Sequence, residues 1–257
     1  MKTVHHVAIS VTSVAVFFLL WQVAGQRHWI DPLLLPPLSD IGETTIELLH
    51  DGYRQVPLWQ HVAVSLARAL SAFIAAVAVG VPLGLLMGLS EPVAAILNPF
   101  VQFLRPLPKI ALIPLAVVWL GIGESSKFFL IFIATFLSVV VGATAAVARV
   151  GRTRIRVAQT LGASRQQIFW RVVLPDTLPE LFTAVRLSIG VGWTSLIAAE
   201  MVAATSGLGW MVINASAYLR TDIVMLGILL LGIIGYLLDL LLVGLQKWLV
   251  PWAGKDA

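Results

Sequence analysis

Residues 149–175 read RVGRTRIRVAQTLGASRQQIFWRVVLP. Six arginines (Arg149, Arg152, Arg154, Arg156, Arg165 and Arg171) stand in this stretch without a single acid. Long apolar runs flank it on both sides, so it is a loop between spans and not a tail. Arginine and lysine accumulate in loops on the cytoplasmic side of a membrane, and the stretch is expected to project there. Membrane orientation explains the charge but not the order inside the loop. Apolar residues recur at Val157, Leu161, Ile168 and Val172, a helical spacing. Leu161-Gly162-Ala163-Ser164 is turn-like between two helical pieces, and Leu174-Pro175 is expected to stop the second piece. A short helix with its tip at Gly162 is a projection that a soluble domain can hold and push.

Outward from this loop the chain is mostly apolar. Of its 257 residues 59% are hydrophobic and only 12% charged, with a mean hydropathy of +0.93. Soluble domains carry about 25% charged residues. Half that share, together with runs long enough to cross a bilayer, predicts an all-α polytopic membrane protein. Six spans are expected, near residues 7–25, 62–89, 91–120, from the turn at 121–127 to 148, 181–204 and 224–245. Residues 1–60 then hold the first helix and a periplasmic segment. Residues 61–248 form the membrane domain with its loop at 149–179, and 249–257 form a cytoplasmic tail. Six spans place both termini on one side, and the distribution of arginine and lysine makes that side the cytoplasm.

The segments between the spans carry their own signals. The apolar run after Met1 and Lys2 has no small-x-small cleavage pattern behind it and reads as an uncleaved first span. Five acids (Asp31, Asp40, Glu43, Glu47 and Asp51) follow it, with Asp31-Pro32 and Leu35-Pro36-Pro37 ending the helix. Ser39 with Asp40 is the expected cap of a short helix reaching residue 49. Gly80, Gly84 and Gly88 form a flat seam for a neighbouring helix. The third span is broken at Arg105-Pro106-Leu107-Pro108-Lys109, where two prolines interrupt the ladder beside two cations. Broken backbone persists in a membrane only against protein or a watery cavity. Arg105 and Lys109 therefore either snorkel to headgroups at the cytoplasmic side or stand near an anion pathway or subunit contact.

Several functions are excluded. There is no cysteine, hence no disulfide, thiolate metal site or redox pair. The net charge of +4 sits mainly in one loop and lacks the basic-aromatic interleaving of nucleic-acid binders. His5, His6, His28, His50 and His61 form no HExxH, and the chain holds neither a phosphate-cradling GxxxxGK[ST] nor a GxSxG elbow. A membrane-embedded enzyme is disfavoured for want of a catalytic constellation. A stand-alone ion-coupled carrier needs intramembrane carboxylates, and only Glu200 and Asp239 lie within spans. A channel driven through the arginine loop fits better.

At this loop the sequence resembles a known family. Arg156-Val157-Ala158, then Gly162, then Val172-x-Leu174-Pro175 is similar to the loop signature of binding-protein-dependent ABC importer permeases, which reads Glu-Ala-Ala, three residues, Gly, nine residues, Ile-x-Leu-Pro. Ala158, Gly162, Leu174 and Pro175 match; Arg156, Val157 and Val172 depart. Arg105-Pro106-Leu107-Pro108, Ile113-Pro114-Leu115, Trp119-Leu120-Gly121-Ile122-Gly123-Glu124, Ala199-Glu200 and Gly207-Leu208-Gly209 resemble the nitrate, sulfonate and taurine branch. Leu58-Trp59-Gln60-His61, Arg156-Val157-Ala158-Gln159 and Gly190-Val191-Gly192-Trp193 are most similar to taurine permeases.

The resemblance implies a non-enzymatic permease subunit of an ATP-driven importer in the bacterial inner membrane. It implies a homodimer, two ABC ATPase subunits that bind ATP and Mg, a periplasmic solute-binding protein, and lipid, with no nucleic acid and no cofactor in this chain. The coupling loop would present Arg156, Val157, Ala158, Gln159, Gly162, Ala163, Ser164, Leu174 and Pro175 to the ATPase. The solute would be taurine or another small sulfonate, with nitrate and bicarbonate as alternatives. Arg105, Lys109, Arg186, Trp193, Ser195 and Glu200 are the candidate pathway residues, Glu200 as a partner for the taurine ammonium. Arg186 and Glu200 are alternatively satisfied within the bundle.

Overall fold

The computed structural model describes residues 2–253, with the side chains of all but 2–7, 152 and 203. The tail residue Lys255 and the side chains of His5, His6 and Arg152 lie outside the described residues. Apart from one bridge between Tyr53 and Val56, the regular structure among the described residues is helical. It comprises α1 (Lys2–Gln26), α2 (Leu38–His50), α3 (Leu58–Leu89), α4 (Glu91–Leu104), α5 (Ile113–Leu120), α6 (Glu124–Ala148), α7 (Arg152–Thr160), α8 (Arg165–Ile168), α9 (Leu174–Ala203), α10 (Leu208–Ala217) and α11 (Thr221–Leu249). A spanning segment must satisfy its backbone internally, which selects helices for these apolar runs. Five helices are long and apolar enough to cross a membrane, and the helical pieces 91–104 and 109–120, bent by 93° at their break, are long and apolar enough together to count as a sixth.

The chain divides into two compact units, residues 65–204 with 233–257 and residues 1–64 with 205–232. Within the first, close approaches fix the direction of each helix. A Cβ on Gly80, Gly84 or Gly88 would meet Val139, Ala143 or Val147 in turn. Each pair advances by four residues on both helices, so α3 and α6 run parallel along the glycine seam. Thr144 adds a hydrogen bond from its Oγ1 to the Gly84 carbonyl at 3.0 Å. Parallel neighbours require the chain between them to return from one end to the other. The bent pair does so in two halves: Val101 of α4 lies with Met87 and Val140, and Ile113 and Ala116 of α5 with Leu130 and Ala199. Its two halves thus serve as one crossing. α9 runs antiparallel to α6, with Ala184 against Gly142 and Thr135 against Gly192. α11 runs antiparallel to α9, with Arg186 bonded to Asp239 and the Gln246 amide to the Pro179 carbonyl.

In the second unit, His61 is fully buried. Its Nδ1 accepts the Gly207 N–H at 3.1 Å and its ring stacks on Trp210. Tyr53 closes the cluster edge-on, donating its hydroxyl to the Asn214 side-chain carbonyl at 2.9 Å, and burial pushes its phenol up from the usual value. Thr44 of α2 donates to Asp222 of α11 at 2.8 Å.

Three local expectations are corrected. Ser39 does not cap α2, whose N-cap is Pro37; Ser39 pairs with Gln22 instead, its N–H donating to Oε1 at 3.2 Å. Leu174-Pro175 does not stop the second loop helix: α8 continues through a π-helical turn at Phe169–Val173 straight into α9. A wider turn makes room where proline lacks its donor and would crowd the carbonyl four residues back. The connector after Gly207 also contains α10, a short apolar helix that glycine and chain length had masked.

Candidate functional site

The loop 149–179 folds as a helix, a turn and a second helix. α7 ends at Thr160 with Leu161 as its C-cap, and Gly162 takes φ +80° with open space where a side chain would stand. That left-handed turn is the position glycine fills without strain. Ser164 then starts the second arm with a capping box: its Oγ accepts the Gln167 N–H at 3.3 Å while Gln167 Oε1 accepts the Ser164 N–H at 2.8 Å. Val150, Ile168 and Val173 form a small buried core beneath the turn, with Ala158, Ala163 and Val172 packed on it. Ion pairs brace the loop on α9, from Arg154 to Asp176 at 2.5 Å and from Arg149 to Glu180 at 2.6 Å.

The expected apolar stripe splits into two faces. Ile168 turns inward, while Val157 (54%), Leu161 (81%) and Trp170 (58%) stay exposed. A hollow of about 490 Å³ lies beside Val157, Leu161 and Arg171, with Pro175 and Trp252 in its wall. Arg156 and Gln159 are exposed on α7. The loop therefore combines a braced base with an apolar, cation-rimmed outer face, the composition of an interface patch.

The candidate pathway residues do not converge. Arg105 lies at the loop end, lining a hollow of about 330 Å³ with Arg149, Glu180, Ser138 and Ser188. Lys109 closes the break in the third span: its Nζ donates to the carbonyls of Arg105 at 2.5 Å, Leu107 at 2.9 Å and Leu104 at 3.4 Å. Arg186 forks onto Asp239 of α11 at 2.9 and 2.7 Å. Trp193 lies half-buried against the core of Phe73 and Ile131, and Ser195 is buried on the same helix.

Glu200 is fully buried. It accepts Arg68 NH1 at 2.8 Å and the Ser65 hydroxyl at 2.8 and 2.9 Å. Arg68 also forks onto Glu124, from Nε and from NH2, each at 2.6 Å, and Lys127 reaches the same carboxylate at 3.0 Å. Buried charges persist where geometry and extra hydrogen bonds offset their desolvation, and this cluster meets that condition. It lies at the end of α6 opposite the arginine loop, about 36 Å away along the helix. Sequence reasoning missed Arg68, Ser65 and Lys127 as site residues. The signal was present: an arginine inside a long apolar helix, three residues after a serine, needs a partner.

Comparisons with known proteins agree with this architecture. Residues 80–255 match the family described as binding-protein-dependent transport system inner membrane component. The taurine transport system permease protein TauC of Escherichia coli is 46% identical over 97% of this chain and 91% of its own length. The putative aliphatic sulfonates transport permease protein SsuC of Escherichia coli is 34% identical over 91% of this chain and 87% of its own. Among solved structures, an inward-facing MetNI methionine ABC transporter chain shares the fold at a TM-score of 0.57 and 20% identity, covering 78% of this chain and 98% of that one. With its helices, its bent span and its braced loop all in that frame, the chain belongs to the family of binding-protein-dependent inner membrane components and is the permease subunit of an ABC importer.

Proposed function

We propose that this subunit forms the translocation pathway for taurine, working as a homodimer with two ABC ATPase subunits and a periplasmic solute-binding protein. The observation that carries the substrate is the 46% identity to TauC along 97% of the chain. In this reading residues 61–248 are the transport domain, 1–60 add the first helix and a periplasmic segment, and 249–257 are a cytoplasmic tail. Both termini and the loop 149–179 lie on the cytoplasmic side, where arginines accumulate.

Arg156, Val157, Ala158, Gln159, Gly162, Ala163 and Ser164 form the tip that enters a groove of each ATPase, with exposed Leu161 as its apolar anchor. Leu174 and Pro175 carry the motion onward, because the second arm is continuous with α9. Closure of the ATPase pair on ATP then tilts α9 from its base. Arg156 stands where the family signature has glutamate, so its groove partner is an acid. Arg105 is a pathway residue on the loop side; Arg186, Trp193 and Ser195 support the wall, and Glu200 holds it through Arg68.

The test is reconstitution of the chain with its ATPase and candidate binding proteins. ATP hydrolysis is expected to rise with taurine-loaded binding protein more than with alkanesulfonate, nitrate or bicarbonate. Failure of the chain to co-purify with any ATPase would overturn the coupling role. Stimulation by nitrate or bicarbonate alone would replace the substrate.

A further inference from the structure

The cluster at the start of α6 divides its charges unevenly. Arg68 and Lys127 are buried cations, with side chains 7% and 5% exposed. Of the two carboxylates that answer them, Glu200 is fully buried and Glu124 is 65% exposed. Glu200 is held on its inner side by Ser65 and Arg68 NH1. Glu124 covers the outer side, one oxygen shared by Arg68 NH2 and Lys127 Nζ and the other bound by Arg68 Nε. Two oxygens on a guanidinium fork with a second cation beside them is the recognition geometry of any two-oxygen anion edge, sulfonate as well as carboxylate.

The residues leading into Glu124 are loosely covered. Gly121 has φ +78°, and neither it nor Gly123 has any atom near the place of a Cβ. Neighbouring Ile122 is 79% exposed. The charge count also matters: two cations and two carboxylates balance while Glu124 is seated. Turning Glu124 outward uncovers one positive charge inside a mostly apolar wall. An incoming monoanion restores the balance.

From this geometry we infer that Arg68 and Lys127 form a sulfonate seat, closed by Glu124 as a tethered carboxylate that the substrate displaces. The displaced carboxylate then faces the ammonium group two carbons from the sulfonate, so a zwitterion gains a partner that a simple alkanesulfonate does not. The inference rests on the taurine reading above, and deepens it by assigning the anion and cation contacts. With the arginine loop cytoplasmic, the seat lies at the opposite, external end of α6, where a binding protein releases its load.

The purified permease–ATPase complex in nanodiscs, without binding protein, tests this through binding of labelled taurine. Unlabelled taurine and ethanesulfonate, which lacks the ammonium, serve as competitors. Glu124→Gln is expected to reduce the preference for taurine over ethanesulfonate about tenfold, the loss of one charge-assisted contact. Lys127→Gln is expected to weaken both competitors by similar factors. A preference unchanged in Glu124→Gln overturns the inference. So does, in Glu124→Gln, an equal weakening of both ligands together with a lower melting temperature, which is the mark of a purely structural pair. If the complete system with binding protein imports taurine while the wild-type complex alone binds none, the seat is wrong and the taurine reading stands. If the complete system imports no taurine, the substrate reading fails and this seat falls with it.

Discussion

The two ends of α6 handle charge in opposite ways. At the loop end, Arg149 pairs with Glu180 and Arg154 with Asp176, and both arginine side chains are more than half exposed. At the far end Arg68, Lys127 and Glu200 are almost wholly withdrawn from solvent. Exposed pairs contribute little because water and salt compete for both partners. Buried pairs contribute little net stability as a whole, yet removing one member strands the other at high cost. The loop end therefore leaves its cations open to exchange partners, as the proposed docking of an ATPase there would require. The far end holds three helices in fixed register and leaves one carboxylate, Glu124, at its surface.

The sharpest way to break this contrast is Glu200→Ala. It removes the carboxylate that answers Arg68 NH1 and Ser65 and is expected to destabilise the fold by about 3 kcal/mol, seen as a large fall in melting temperature of the detergent-solubilised protein. A shift within error would mean that Arg68 relaxes onto Glu124 and solvent, and that the far end is no more rigid than the loop.

Gly162→Asp acts at the other end and on a different quantity. The residue sits at φ +80° in open space, so an aspartate fits sterically at a backbone cost of about 1 kcal/mol. Stability should barely move, while ATP-driven uptake should fall more than tenfold because the tip no longer seats. Uptake at the wild-type rate would remove this turn from the coupling role.

The difference between the ends also decided what could be read in advance. The arginine loop was legible because its signal is local. Six cations without an acid, a glycine four residues after Ala158, and Leu174-Pro175 all fall within 27 residues. The seam of Gly80, Gly84 and Gly88 was legible for the same reason, through its period. The Arg68 cluster was not, because its members come from α3, α6 and α9 and are separated by as many as 135 positions. Only the fold brings Ser65 to Glu200. Pro175 misled for a physical reason: a lone proline predicts a stop, and the π turn that absorbs it has no sequence signature of its own. Lys109 was readable as a cation beside a break, yet its three carbonyl partners depend on how the chain bends there.

Leu161→Ala gives a smaller effect that sharpens the same contrast. The side chain is 81% exposed and supports nothing beneath it. Its truncation should change stability by less than about 0.5 kcal/mol, yet weaken co-purification with the ATPase several-fold if Leu161 is the anchor of the docked tip. Full retention of the ATPase at raised salt would show that the arginines, and not the apolar tip, hold the partner.

Arg149→Ala should have the smallest effect of all. The pair with Glu180 is short, at 2.6 Å, but its side chains are 68% and 44% exposed. Such a pair is worth about 0–1 kcal/mol and is screened by salt. The melting temperature of the variant should therefore lie within a few degrees of the wild type at low ionic strength and converge on it as salt rises. The same substitution lightens the positive end of the loop without touching its helix-Gly-helix geometry, so coupling should persist. A loss of stability that survives high salt would show that Arg149 is more than a surface brace. It would then tie the first turn after α6 to α9 in the way Arg68 ties the far end.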